Sequence, residues 1–176
     1  MGTVKWGILG AAKIAREQVI PAMKKSKNTE LYAIASREIS KAEDFCHKFS
    51  ITKAYDDYNK LISDPNIDAV YIPLPNHLHV PFSINALKAG KHVLCEKPIS
   101  ITSDEIFELI EVQKVTKKIV SEAFMVRFHP QWTETKKLIQ DGEIGKLNAI
   151  QGLFNYFNTD PNLSLIHISE PTRPLH

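Results

Sequence analysis

Glu96-Lys97-Pro98 closes an apolar run, His92 to Cys95, that reads as a strand. An ammonium there, in apolar surroundings and flanked by an acid and a proline, can polarise a substrate hydroxyl or help deprotonate it. Desolvation makes its proton easier to move. Read alone, a surface lysine that ends a strand explains the same residues more often. Arg37, preceded by Ser36, follows another apolar run, residues 31–36, at the place where a dinucleotide-binding fold usually puts an acid for the ribose 2′-OH. A 2′-phosphate needs positive charge and donors at that place, and Arg37 offers a planar fork suited to phosphate. An exposed arginine with no ligand is the alternative, and Glu38 next to it could turn inward. Leu74-Pro75-Asn76 and His79 come after a third run, residues 69–72. Pro75 fixes the loop and Asn76 offers both donor and acceptor. Read alone, helix capping by Asn76 and a solvated first turn at His79 explain these residues more often.

These residues need a scaffold, and Val4 to Ala15 suggests which one. The run Val4–Leu9 ends at Gly10, and small residues then open a helix. A pyrophosphate approaches bare backbone closely and meets the N–H groups at a helix start. Against the G-x-G-x-x-G/A pattern the match is Gly10, Ala12 and Ala15. The middle glycine is an alanine, so a plain structural turn fits this stretch as well.

Along the chain, residues 12–26 read as helical, with Pro21 starting a second short helix. Ser40 is an N-cap candidate for a helix over 41–49. Residues 54–55 form a short strand and 57–63 a helix. Residues 79–88 form another helix, closed by Gly90. Thr102 and Glu105 have capping-box spacing for a helix running to Lys117. Residues 119–123 are the last strand of this series. Short strands alternating with helices predict a parallel, doubly wound α/β sheet. The rhythm then changes to a helix over 130–140 and a strand over 147–157, which begin an α+β open-sheet region. The predicted domains are 1–123 and 124–162.

The totals bound the rest. The chain has 176 residues, 43% of them hydrophobic, enough for one cored domain and part of another. A net charge of +2 with scattered lysines argues against bulk attraction to nucleic acid or an anionic membrane. Cys46 and Cys95 lie far apart in unlike contexts, with no metal-ligand spacing, so no metal site and no disulfide is expected. A reducing cytoplasm fits, and no leader or membrane-length run is read.

The segments W-G-I-L-G-A-A-K-I-A, A-I-A-S-R, D-A-V-Y-I-P-L-P-N-H-L-H, A-G-K-H-V-L-C-E-K-P and E-A-F-M-V-R-F-H-P occur in order over roughly residues 3–162. Together they resemble the glucose–fructose oxidoreductase / inositol dehydrogenase (Gfo/Idh/MocA) family, and within it the NADP-dependent dihydrodiol and D-xylose dehydrogenase branch. The resemblance implies a Rossmann domain that binds NADP, with NAD possible. It implies hydride transfer to or from a sugar, polyol or diol carbon. It places Gly10, Ala12, Lys13, Ile14, Ser36 and Arg37 at the cofactor. Leu74, Pro75, Asn76 and His79 line the nicotinamide side, Glu96 holds the cofactor and Arg127 faces it. Lys97 assists catalysis, and Pro98 follows a cis bond. The base and substrate contacts are expected beyond Asn162, with homo-oligomers formed through a sheet there. Residues 163–176 contain L-S-L-I-H-I-S-E-P-T-R, which reads as a translated sequencing adapter; a genuine polar tail is the other reading. An NAD-dependent glycosidase of the same superfamily and a non-catalytic dinucleotide sensor are the other functional readings.

Overall fold

The computed structural model describes residues 2–153. β1 (Val4–Leu9), β2 (Thr29–Ala35), β3 (Lys53–Tyr55), β4 (Ala69–Ile72), β5 (His92–Cys95) and β6 (Val120–Glu122) form one parallel sheet. The strand order is β3-β2-β1-β4-β5-β6. The chain lays β2 and β3 to one side of β1, then crosses over to build β4, β5 and β6 on the other. This is the doubly wound sheet that the alternation predicts, and it opens a crevice between the carboxyl ends of β1 and β4.

Helices cover both faces. After β1 comes a π-helical turn, Ala15–Val19, that runs into α1 (Ile20–Met23). The others are α2 (Ile39–Phe49), α3 (Tyr58–Ile62), α4 (His79–Lys88), α5 (Ser103–Thr116) and α6 (Pro130–Gln140). Alternate strand residues point to opposite faces. Leu9, Ala35, Val70, Ile72 and Cys95 join Leu61, Ile84, Leu87 and Leu109 from α3, α4 and α5 on one face. Ile8, Ile34 and Tyr71 join Ala15, Ile20, Ala42 and Phe45 on the other. All four residues of β4 are buried, as expected of a central parallel strand. Burial pushes the Cys95 thiol up to about 12, which makes it inert.

Pro21 does sit in the first turn of a second short helix, α1 (Ile20–Met23). It lies in a helical stretch whose preceding turn is widened, with the Ile20 N–H donating to Ala15 O, five residues back. Proline has no N–H and crowds the carbonyl four residues before it, and the wider turn relieves that conflict. Several local expectations change. Ser40 is not an N-cap, because α2 begins at Ile39 with Glu38 in the extended cap position. The Ser36 hydroxyl accepts the Glu38 N–H at 3.4 Å and turns the chain into the helix early. Thr102 and Glu105 do form the reciprocal capping box on α5. Residues 147–153 carry no strand. No segment among the described residues pairs with them, and a strand without a partner has no ladder for its N–H and C=O groups. Residues 154–157 of that expected strand, and 163–176, lie outside the described residues. One compact unit spans Met1–His129 and a second Pro130–His176. The turn Met125–Phe128 therefore belongs with the sheet rather than after it.

Away from the carboxyl edge, Asp64 is buried after α3. It accepts from Tyr55 Oη at 2.6 Å, from Lys53 Nζ at 3.0 Å, and from the backbone N and Nδ2 of Asn66, both at 2.9 Å. Burial pushes its carboxyl up, but these donors outweigh burial and hold it well below the usual carboxylate range. A depressed carboxylate adds stability above its unfolded value and loses it on acidification. Urea midpoints of the chain therefore fall as pH drops through about 4 and below. Asp64→Asn is less stable at neutral pH and loses less between pH 7 and pH 3; a parallel acid limb in both proteins excludes this role.

Candidate active site

The register aligns Leu9 with Ala35 and Ile72 with Cys95, so the segments after β1, β2, β4 and β5 leave the sheet at one edge. The Gly10 N–H donates to Ala35 O at 2.8 Å, tying the first turn to the second strand. Gly10 has φ +111°, a conformation that favours glycine. A Cβ there would lie 3.0 Å from Leu74 Cδ2 and 3.9 Å from Pro73 O. The bare backbone thus forms the floor of the crevice between β1 and β4. Ala12 is half-buried beside it, and Lys13 and Ile14 are exposed where the helical stretch opens. This floor fits a pyrophosphate: small residues line it, and a cation stands at its rim.

At the end of β2, Ser36 is buried, and its N–H donates to Tyr55 O at 3.0 Å. Arg37 is exposed and makes no ion pair or hydrogen bond among the described residues. Glu38 does not turn toward it. Its Oε1 lies 2.7 Å from Lys41 Nζ on α2. The guanidinium is therefore left unneutralised by its neighbour.

The β4–α4 loop differs from expectation at Leu74 and His79. Leu74 turns its side chain into the core against Gly10, so it lines no ligand surface with it. His79 is only 1% exposed, neither solvated nor open to a cofactor. Its Nδ1 lies 2.7 Å from Pro98 O and its Nε2 2.7 Å from Leu74 O. A carbonyl only accepts, and which ring nitrogen donates to its carbonyl depends on the tautomer. The ring ties the loop after β4 to the loop after β5. Pro75 is exposed and Asn76 half-buried, with the Asn76 side chain capping neither the 3-10 turn Asn76–Leu78 nor α4.

The loop after β5 is held from several sides. The Glu96 N–H donates to Ile72 O at 3.0 Å, and the Ile99 N–H donates to Glu122 Oε1 at 2.9 Å. Tyr71 Oη donates to Glu96 Oε1 at 2.7 Å. The Lys97–Pro98 bond is cis, as the resemblance implied. Lys97 itself is exposed. The apolar surroundings expected for it are absent, because the side chain leaves the sheet beyond the last buried residue, Cys95. Arg127 is exposed on the turn Met125–Phe128 and has no ion pair among the described residues. Tyr71 and Glu122 were not among the expected site residues. A tyrosine inside the otherwise aliphatic run A-V-Y-I was the available signal, since a buried hydroxyl needs a partner.

Residues 4–124 match the family described as an oxidoreductase family with an NAD-binding Rossmann fold, Gfo/Idh/MocA. The chain belongs to this family. The Gfo/Idh/MocA relatives it resembles include D-xylose 1-dehydrogenase (NADP(+)) 2 of Haloferax volcanii, 40% identical over 154 residues, covering 86% of this chain and 46% of the relative. Trans-1,2-dihydrobenzene-1,2-diol dehydrogenase of Mus musculus is 33% identical over 155 residues, covering 87% and 46%. Among solved structures, KijD10, a 3-ketoreductase from Actinomadura kijaniata in complex with NADP, aligns with a TM-score of 0.76 at 34% identity. That alignment covers 82% of this chain and 46% of KijD10. The chain spans about half the length of the curated relatives it matches.

Replacing His79 by leucine leaves the carbonyls of Leu74 and Pro98 without the ring between them. We expect a loss of about 1–3 kcal/mol in chemical denaturation, from a carbonyl left without its donor. A loss below about 0.5 kcal/mol, the size of an ordinary surface change, contradicts the bracing role.

Proposed function

We propose that this chain is the dinucleotide-binding half of an NADP-dependent oxidoreductase. The enzyme transfers a hydride between the nicotinamide cofactor and a carbon bearing a hydroxyl in a sugar, polyol or diol. One observation carries the reading: the carboxyl edge gathers the Gly10 floor, the unneutralised Arg37, Asn76 and Lys97 around the crevice where the strand order reverses. Ligands of doubly wound sheets sit at such a crevice. The names of the xylose dehydrogenase and of the KijD10 complex, both with NADP, support the cofactor choice.

In this reading Gly10, Ala12 and the opening of the helical stretch receive the pyrophosphate, with Lys13 and Ile14 at its rim. Arg37 and Ser36 receive the 2′-phosphate. Asn76 and Glu96 contact the nicotinamide half, with Pro75 shaping that wall and Arg127 facing it. The dinucleotide supplies or accepts the hydride. Lys97 donates a hydrogen bond to the substrate oxygen and favours its charge as the proton leaves or arrives. Because Lys97 is exposed, the desolvation that sharpens this role comes from the ligands seated over it. The free thiols Cys46 and Cys95 suit a cytoplasmic enzyme, and homo-oligomer formation belongs to the same reading. No helix among the described residues is long and apolar enough to cross a membrane.

Titration of the chain with NADPH and NADH tests the cofactor assignment. NADPH binds more tightly by about tenfold or more, and Arg37→Ala removes most of that margin, the size of one charge-assisted contact. An unchanged ratio removes Arg37 from the site. In the protein at the length of its relatives, Lys97→Met keeps cofactor binding and lowers kcat by roughly 10²-fold or more, as for loss of a proton-handling group. Near-normal kcat removes Lys97 from the chemistry. Release of a free sugar from a glycoside without net NADPH formation marks a glycosidase instead, and binding with neither activity marks a sensor.

A further inference from the structure

Tyr71 is an unusual residue for its place. It occupies the middle of β4, buried on both sides by β1 and β5, where aliphatic residues need no partner. It pairs with Ile8 on one side and Leu94 on the other, and it shares the face covered by Ala15 and Ile20. Its side chain is fully buried. Glu96 lies two residues beyond Leu94, just past the end of β5, so it emerges on the same face and stands diagonal to Tyr71. A tyrosine is long enough to span that diagonal, and its hydroxyl reaches Glu96 Oε1 at 2.7 Å.

The Glu96 carboxylate makes no ion pair among the described residues. Among the described residues its other oxygen, Oε2, accepts only the Lys97 N–H, at 3.3 Å. An ionised carboxylate has about four acceptor positions, so most of them meet no donor among the described residues. The tyrosine is the short contact that sets which way they point.

We propose that Tyr71 is a positioning residue, whose hydroxyl fixes the Glu96 carboxylate so that its open acceptor positions face the redox end of the dinucleotide. This rests on the reading of Glu96 as a cofactor contact. Burial, and then the Glu96 carboxylate beside it, push the phenol well above its ordinary value, so it stays a donor throughout the working pH range. The packing around the ring is unaffected by loss of the oxygen alone. Tyr71→Phe therefore changes one contact and leaves the core filled.

The test compares two ligands on the 176-residue chain: NADPH, and adenosine 2′,5′-bisphosphate, which lacks the nicotinamide half. Tyr71→Phe weakens NADPH by about tenfold, the scale of one hydrogen bond to a charged group. It leaves the bisphosphate unchanged within about twofold, since that ligand never meets Glu96. In a Glu96→Gln background, Tyr71→Phe has a much smaller effect on NADPH, because the two residues act as one unit. Equal weakening of both ligands shows a packing effect and overturns the inference. So does an effect of the same size in both backgrounds, or no effect on NADPH. Failure of the unaltered chain to bind NADPH overturns the proposed function as well, whereas binding with an unmoved Tyr71→Phe overturns this inference alone.

Discussion

Only a hydrogen atom stands on Gly10 where Leu74 comes in from the next strand, and a methyl in its place would lie 3.0 Å from Leu74 Cδ2. That close approach is the constraint on which the carboxyl edge depends. It lets the turn after β1 lie flat against the loop after β4, at the one point where the strand order reverses. Leu74 fills the space from within, and its carbonyl meets His79. His79 in turn meets the carbonyl of Pro98, next to Lys97. The position of the lysine is thus linked through packing and the His79 ring to a glycine far away in the chain.

A division of labour follows. The lower part of the edge is apolar and closed, built from Leu74, Ile72, Cys95 and the residues of α4 beneath them. The upper part is polar and open. Tyr71, His79 and Glu122 form the boundary between the two, each spending a buried or half-buried polar group on the loop after β5. Such groups are costly unless satisfied, so each contact also fixes geometry.

What could be read from residues alone divides along a physical line. Elements bounded by local chemistry were legible. Helices 79–88 and 130–140 and strands 69–72 and 92–95 appear with the bounds expected, and Thr102 caps α5 as its spacing implied. Proline, glycine and capping residues act within a turn or two, so a linear reading captures them. Features set by distant partners were not legible. Ser40 has the right chemistry for a cap, but the chain turns into α2 earlier because of Ser36. Residues 147–153 have a strand-like pattern and nothing among the described residues to pair with. His79 looked like a solvated helix start, yet its partner Pro98 lies 19 residues on. Candidate site residues could be named from the sequence; which of them are exposed, as Lys97 and Arg37 are, and which are sunk beneath, as Leu74 and His79 are, depended on packing.

The exposed cations at this edge have one more effect. Lys13, Arg37, Lys97 and Arg127 each stand without an acidic partner among the described residues. Charges of one sign at one rim repel each other, and any arriving polyanion relieves that repulsion as it binds. Small ions in the buffer compete for the same relief, and at 0.15 M ionic strength they screen charges beyond about 8 Å. The grip of this rim on a multiply charged ligand therefore weakens with added salt, and dilute buffers overstate it.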